Sequence, residues 1–152
     1  MKHYFSFLIC AAMLSFVACD KSDDDKDVNP TPEAASAVGT VFVTQADGSE
    51  FSKDSVSVAL NYAEDSVTIT MFKVKFAERM PLELDMTIGG VQYSNDGGNI
   101  KLWGNNIVPQ AMGGAFPKYT ITNLEGKAGD GKVAFSMMCG EYPTRFEGTL
   151  NK

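Results

Sequence analysis

Histidine is nearly missing from this 152-residue chain, which carries one copy, at position 3. Cysteine occurs three times, at positions 10, 19 and 139, and tryptophan once, at 103. No cluster of lysine and arginine interleaved with aromatics occurs, and the formal net charge is −6. A nucleic-acid partner is therefore not expected, since such partners require a basic face. Long apolar runs are also absent: the uncharged stretch from Phe5 to Val17 falls short of the roughly 20 apolar residues that span a bilayer. Its length, behind Lys2, suits the apolar region of a secretory leader.

The leader ends in Phe16-Val17-Ala18-Cys19. This tetrapeptide resembles the lipobox of bacterial lipoproteins, with phenylalanine where leucine is usual. The resemblance implies cleavage before Cys19 and acylation of its thiol. Two or three acyl chains anchor a protein stably, because each buried methylene contributes about 0.8 kcal/mol. The expected organisation is a signal peptide over residues 1–18, a lipidated cysteine with an acidic flexible tether over 19–37, and a folded domain over 38–152. Ser22, Asp23, Asp24 and Asp25 resemble the acidic export signal of lipoproteins in Bacteroides-like bacteria, which implies an outer-membrane, cell-surface address. The alternatives are a solvated spacer and a periplasmic-facing membrane location.

Loss of the leader removes His3 and Cys10. A mature chain without histidine has no Ser-His-Asp or Cys-His pair and no histidine-containing zinc site. With Cys19 acylated, Cys139 is the one thiol left, so an intrachain disulfide is excluded. Its place in an apolar alternation reads as a buried, inert thiol.

Beyond Val38 the apolar pattern has period two, the signature of strands with one buried face. Val56, Val58, Leu60 and Tyr62 alternate with polar or small residues; so do Leu82, Leu84, Met86 and Ile88, and later Val133, Phe135, Met137 and Cys139. Further strands fall near 39–45, 66–76, 99–104, 118–125 and 144–150, which gives eight. Asp47-Gly48, Asp96-Gly97 and Asp130-Gly131 supply tight-turn chemistry, and Glu64-Asp65 suits a two-residue connection. In the strand around 67–76, apolar residues switch face between Met71 and Phe72, the mark of a bulge or sharp bend. Eight short antiparallel strands in sequential order remove their edges by closing, so an all-β, eight-stranded, up-and-down antiparallel barrel is expected, with a two-sheet sandwich as the alternative.

Val74-Lys75-Phe76-Ala77-Glu78-Arg79-Met80-Pro81 and Asp85-Met86-Thr87-Ile88 resemble segments of the calycin-like β-barrel lipoproteins of Bacteroides-like bacteria. Gly39-Thr40-Val41, Ile107-Val108-Pro109, Tyr119 to Leu124, Met138-Cys139-Gly140 and Phe146 to Thr149 fit the same family in order. The resemblance implies a calycin barrel and no particular activity.

Three motifs suggest chemistry and fall short of it. Gly126 to Lys132 has the spacing of a phosphate-binding loop, but Val133 replaces its Ser/Thr and a β-alternation follows where a helix should begin. Glu78, Arg79 and Asp85 supply two carboxylates and a cation with nothing to fix them in space. The aspartates of the tether lack the glycine and terminal glutamate of a calcium loop. No catalytic residue, metal site or cofactor is expected.

Binding is the remaining function. An eight-stranded barrel either fills with side chains or holds one small ligand. The inward-facing set includes Val56, Val58, Leu60, Tyr62, Leu84, Met86, Phe135 and Met137. The irregular stretch from Gly104 to Pro117 offers a lid. A small apolar ligand at the mouth would meet Tyr62, Met86, Trp103, Ile107, Met112, Phe116 and Phe135. The alternative is a filled barrel that contacts another outer-membrane protein.

Overall fold

A computed structural model describes residues 30–152. Cys19, Ser22, Asp23, Asp24 and Asp25 lie outside the described residues, as do the expected leader and most of the expected tether. Ten strands form in the order β1 (Ala35–Thr44), β2 (Glu50–Tyr62), β3 (Val67–Val74), β4 (Leu84–Asp96), β5 (Asn99–Gly104), β6 (Gln110–Ala111), β7 (Gly114–Ala115), β8 (Ile121–Gly129), β9 (Lys132–Cys139) and β10 (Tyr142–Leu150). The eight long ones pair with their sequence neighbours, β5 passing directly to β8, and β1 pairs with β10 to close the ring. All pairings are antiparallel, so the fold is the up-and-down barrel and not a sandwich. β1 begins at Ala35, three residues ahead of the expected domain start, because Ala35 and Ser36 already pair with Leu60 and Ala59.

Closing so small a ring requires sharp local bends, and four bulges provide them. An extra residue interrupts the register in β2, β3, β4 and β8, and each bulge holds a residue of positive φ: Ser55 at 59°, Lys73 at 51°, Gly90 at 72° and Asn123 at 51°. A bulge bends its strand and increases local twist, which turns a flat sheet into a closed one. The bulge in β3 corrects one expectation. Phe72 and Lys73 together form the bulge, so Val74 and Phe76 return to the interior beside Met71 while Phe72 stays outside.

Turns follow residue chemistry. Asp130-Gly131 and Gly97-Gly98 connect their strands with both central residues at positive φ, as hairpin geometry prefers. The turn expected at Asp96-Gly97 therefore lies one residue later, with Asp96 paired to Asn99. At the β1–β2 turn the Asp47 carboxylate accepts the Ser49 N–H at 2.9 Å. The β2–β3 connection is closed by the Ala63 N–H donating to the Ser66 carbonyl at 2.7 Å, with Glu64 and Asp65 at its tip.

The interior is apolar and full of side chains. Val56, Val58, Leu60, Ile69, Met71, Met86, Ile88, Ile121, Leu124 and Phe146 are among the side chains with almost no exposure, and Leu84, Phe135 and Met137 join them. Leu82, expected in the same inward set as Leu84, lies outside at 62 % exposed. Cys139 is buried, its Sγ 3.9 Å from the Tyr119 carbonyl oxygen, and burial pushes its thiol up to about 12.

Candidate functional site

Both ends of the barrel are closed by aromatic side chains. The end that receives β1 also carries the β2–β3, β4–β5 and β8–β9 turns and the C-terminus of β10. There Tyr62 meets Tyr93 edge-on with centroids 5.2 Å apart, and the Tyr93 hydroxyl donates to the Ala63 carbonyl at 2.7 Å. The Tyr62 hydroxyl is shut off from solvent without a hydrogen-bond partner, and burial, helped by Tyr93, pushes it up to about 12. At the opposite end Phe76 stacks on Tyr119 at 5.4 Å, Phe116 stacks on Tyr119 at 5.1 Å, and Tyr142 lies 6.4 Å away at a tilt.

The irregular stretch after β5 contributes to this second closure. Asn106 and Met112 take positive φ, β6 pairs with β4 through Ala111 and Met86, and Ile107 bridges to Ile121 in both directions. The Phe116 N–H donates to the Pro109 carbonyl at 2.8 Å, which fixes the loop that holds Phe116 in the stack.

The residues expected to gather at one mouth do not gather. Met86 and Phe135 are inside the barrel at 1 % and 3 % exposure. Tyr62 is at the end where β1 starts, whereas Ile107 and Phe116 are at the other. Met112 points away from the core at 73 % exposed, on the β6–β7 turn. Trp103 faces outward on β5 and belongs to no lid. No ion pair links the charged trio: the Asp85 carboxylate accepts the Lys73 N–H of the β3 bulge, and Glu78 and Arg79 are exposed in the β3–β4 loop. Gly126 to Lys132 is the β8–β9 hairpin, with no helix after it. Among the described residues no group of three His, Cys, Asp or Glu is placed to hold a metal ion. No described helix is long and apolar enough to cross a membrane.

A different constellation lies on the outer wall. The register aligns Gln92, Trp103, Glu125, Ser136, Arg145 and Phe42 in one row across β4, β5, β8, β9, β10 and β1. Each faces outward because its strand neighbours face the core. Three adjoining clefts follow the row. One of about 480 Å³ surrounds Trp103 with Gly90, Gln92, Asn105, Asn123 and Glu125. A second, of about 380 Å³, shares Asn123 and reaches Ser136, Met138, Arg145 and Phe42. A third, of about 220 Å³, joins them through Glu125, Ser136 and Arg145.

The row is preorganised. The Trp103 indole N–H donates to Gln92 Oε1 at 2.7 Å, and the Arg145 guanidinium lies 4.0 Å over the Phe42 ring. Arg145 also donates to Glu50 at 2.9 Å and Glu147 at 3.2 Å, so its charge is already answered. Asn105 Oδ1 accepts the Asn123 N–H at 3.2 Å and ties the β5 exit to the β8 bulge. Sequence reading finds Trp103 but not its neighbours. They are isolated outward residues on five other strands, and only the register unites them.

No protein-family model matches the chain, and no curated protein or solved structure is significantly similar to it.

Proposed function

We propose that this protein is a lipid-tethered, non-enzymatic binding domain that uses its barrel as a solid scaffold and recognises its partner on the outer wall. The observation that carries this reading is the contrast between inside and outside. Apolar side chains fill the interior and aromatics cover both ends, while the wall carries an exposed row with fixed side chains and adjoining clefts. The reading with an apolar ligand at the mouth has less support, because Met86 and Phe135 already serve as core.

The anchoring part of the proposal rests on the lipobox-like sequence before Cys19 and on the resemblance to calycin-like lipoproteins. It agrees with the topology: the tether reaches the barrel at the start of β1, so a membrane anchor leaves the end with Phe116 and Tyr119 pointing outward. Phe42, Trp103 and Arg145 lie toward that outer end of their strands.

Two experiments test the parts separately. Cys19→Ala should move the protein from the membrane fraction to the soluble fraction, and continued retention would contradict the anchor. Native mass spectrometry with medium-chain fatty acids should show the unliganded mass, and a stoichiometric adduct would revive the interior site.

A further inference from the structure

Taking the outer-wall reading as its basis, we infer that the groove from Trp103 to Phe42 binds a neutral oligosaccharide, with Trp103 as the stacking platform. The chemistry of the lining selects this class. A sugar ring presents an apolar C–H face and a rim of hydroxyls that both donate and accept. Trp103 is 41 % exposed and its ring is held by the indole hydrogen bond to Gln92, so it meets a ligand as a fixed flat face. Around it stand Gln92, Asn105 and Asn123, whose amides both donate and accept, and Glu125, which accepts. A Cβ added at Gly90 would touch nothing, so the ground beside the indole is open to a bulky ring.

Charge in the cleft lining disfavours the acidic members of the class. Glu125 lies beside the indole, and the one cation of the row, Arg145, is already engaged by Glu50 and Glu147. A uronate or phosphate lying in these clefts would meet carboxylates with no free cation in the lining, since the exposed Lys101 and Lys127 stand two residues further along β5 and β8 in a separate cleft, whereas neutral hydroxyls can donate to Glu125.

Length points to an oligomer. From Trp103 to Phe42 the row crosses four interstrand steps, roughly 19 Å at about 4.8 Å each. That distance accommodates several linked rings and exceeds one. An extended peptide is the poorer fit, because the strands under the groove are paired on both sides and offer it no free edge for backbone hydrogen bonds.

The full-length chain in detergent micelles is suited to a direct test, since its single tryptophan lies in the groove. Neutral gluco-, manno-, galacto- and xylo-configured hexasaccharides, an acidic hexagalacturonide and an extended decapeptide are titrated against Trp103 emission, with affinity electrophoresis as a second readout. At least one neutral hexasaccharide should shift the emission and retard migration, and bind more tightly than its disaccharide. Trp103→Ala should weaken that retardation about tenfold, the scale of one aromatic contact. Glu125→Gln and Asn105→Ala should weaken it less, with near-ultraviolet circular dichroism unchanged. Absence of binding by every neutral hexasaccharide in both readouts, or binding that Trp103→Ala leaves intact, overturns the inference. Decapeptide binding that Trp103→Ala abolishes overturns the ligand class and leaves the outer-wall reading standing. A fatty-acid adduct inside the barrel overturns that reading itself.

Discussion

Gly39 and Gly148 face each other across the seam where β1 and β10 close the barrel, and neither has room for a side chain. A Cβ on Gly39 would fall within the Glu147 carbonyl and the Gly148 Cα, and one on Gly148 would meet the Phe146 ring at 2.6 Å. The ring of Phe146, stacked on Phe135 at 5.3 Å, occupies the space the glycine leaves. Gly39→Ala should therefore destabilise the protein by about 3 kcal/mol, the upper range for overpacking a tight site. Urea denaturation measures this, and an unchanged midpoint would mean the strands do not meet so closely there.

Tyr62→Phe should act in the opposite direction. The hydroxyl it removes is buried without a partner, and such a group costs about 1 to 3 kcal/mol in desolvation. The ring and its contact with Tyr93 stay in place. A gain of about 1 kcal/mol in chemical denaturation is expected; a loss would show that the hydroxyl has a partner.

Stability should be limited on the alkaline side. The Cys139 thiol is raised from 9.0 to about 12 and the Tyr62 phenol from 10.0 to about 12, chiefly by burial. Both are acids held neutral in the fold, so above about pH 9 the unfolded chain releases protons that the folded chain keeps. Their contribution is complete below pH 9 and is lost as pH rises toward 12. Tm measured from pH 8 to 11 should fall, and Cys139→Ala should flatten the first part of that fall. A thiol reagent should label Cys139 only on unfolding.

Tyr119 links three aromatic rings at the end opposite the start of β1. Tyr119→Ala should cost about 2 to 3 kcal/mol. Its more specific effect is local: amides from 105 to 120 should exchange faster with solvent, while those of β1, β2 and β10 change only in proportion to global stability.

Much of this architecture was legible because one buried face repeats every two residues. Val56 to Tyr62 and Val133 to Cys139 are strands where the alternation places them. Boundaries slipped wherever a bulge or glycine broke the period. β4 continues past Ile88 to Asp96, because the Gly89-Gly90 bulge puts Val91 back on the inner face three residues later. β8 starts at Ile121 after a short 3₁₀ turn over Pro117–Tyr119, and continues through Gly126 because Phe135 packs where a Cβ would be.

The groove was less legible, for a different reason. Local patterning says which residues face outward, but it does not say which outward residues of separate strands are neighbours. Trp103, Glu125 and Arg145 become one surface only through the register that passes from β5 directly to β8. Tyr62 ends an inward alternation and Phe116 lies on the irregular stretch that reads as a lid, so the sequence suggests one mouth for both; chain direction places them at opposite ends.

The central claim is that side chains fill the barrel and leave the outer wall to do the binding. Crystals of the protein under xenon pressure test it most directly, since xenon enters dry apolar cavities. The account predicts no xenon among Leu60, Met86 and Phe135. An occupied xenon site between those three side chains would contradict it.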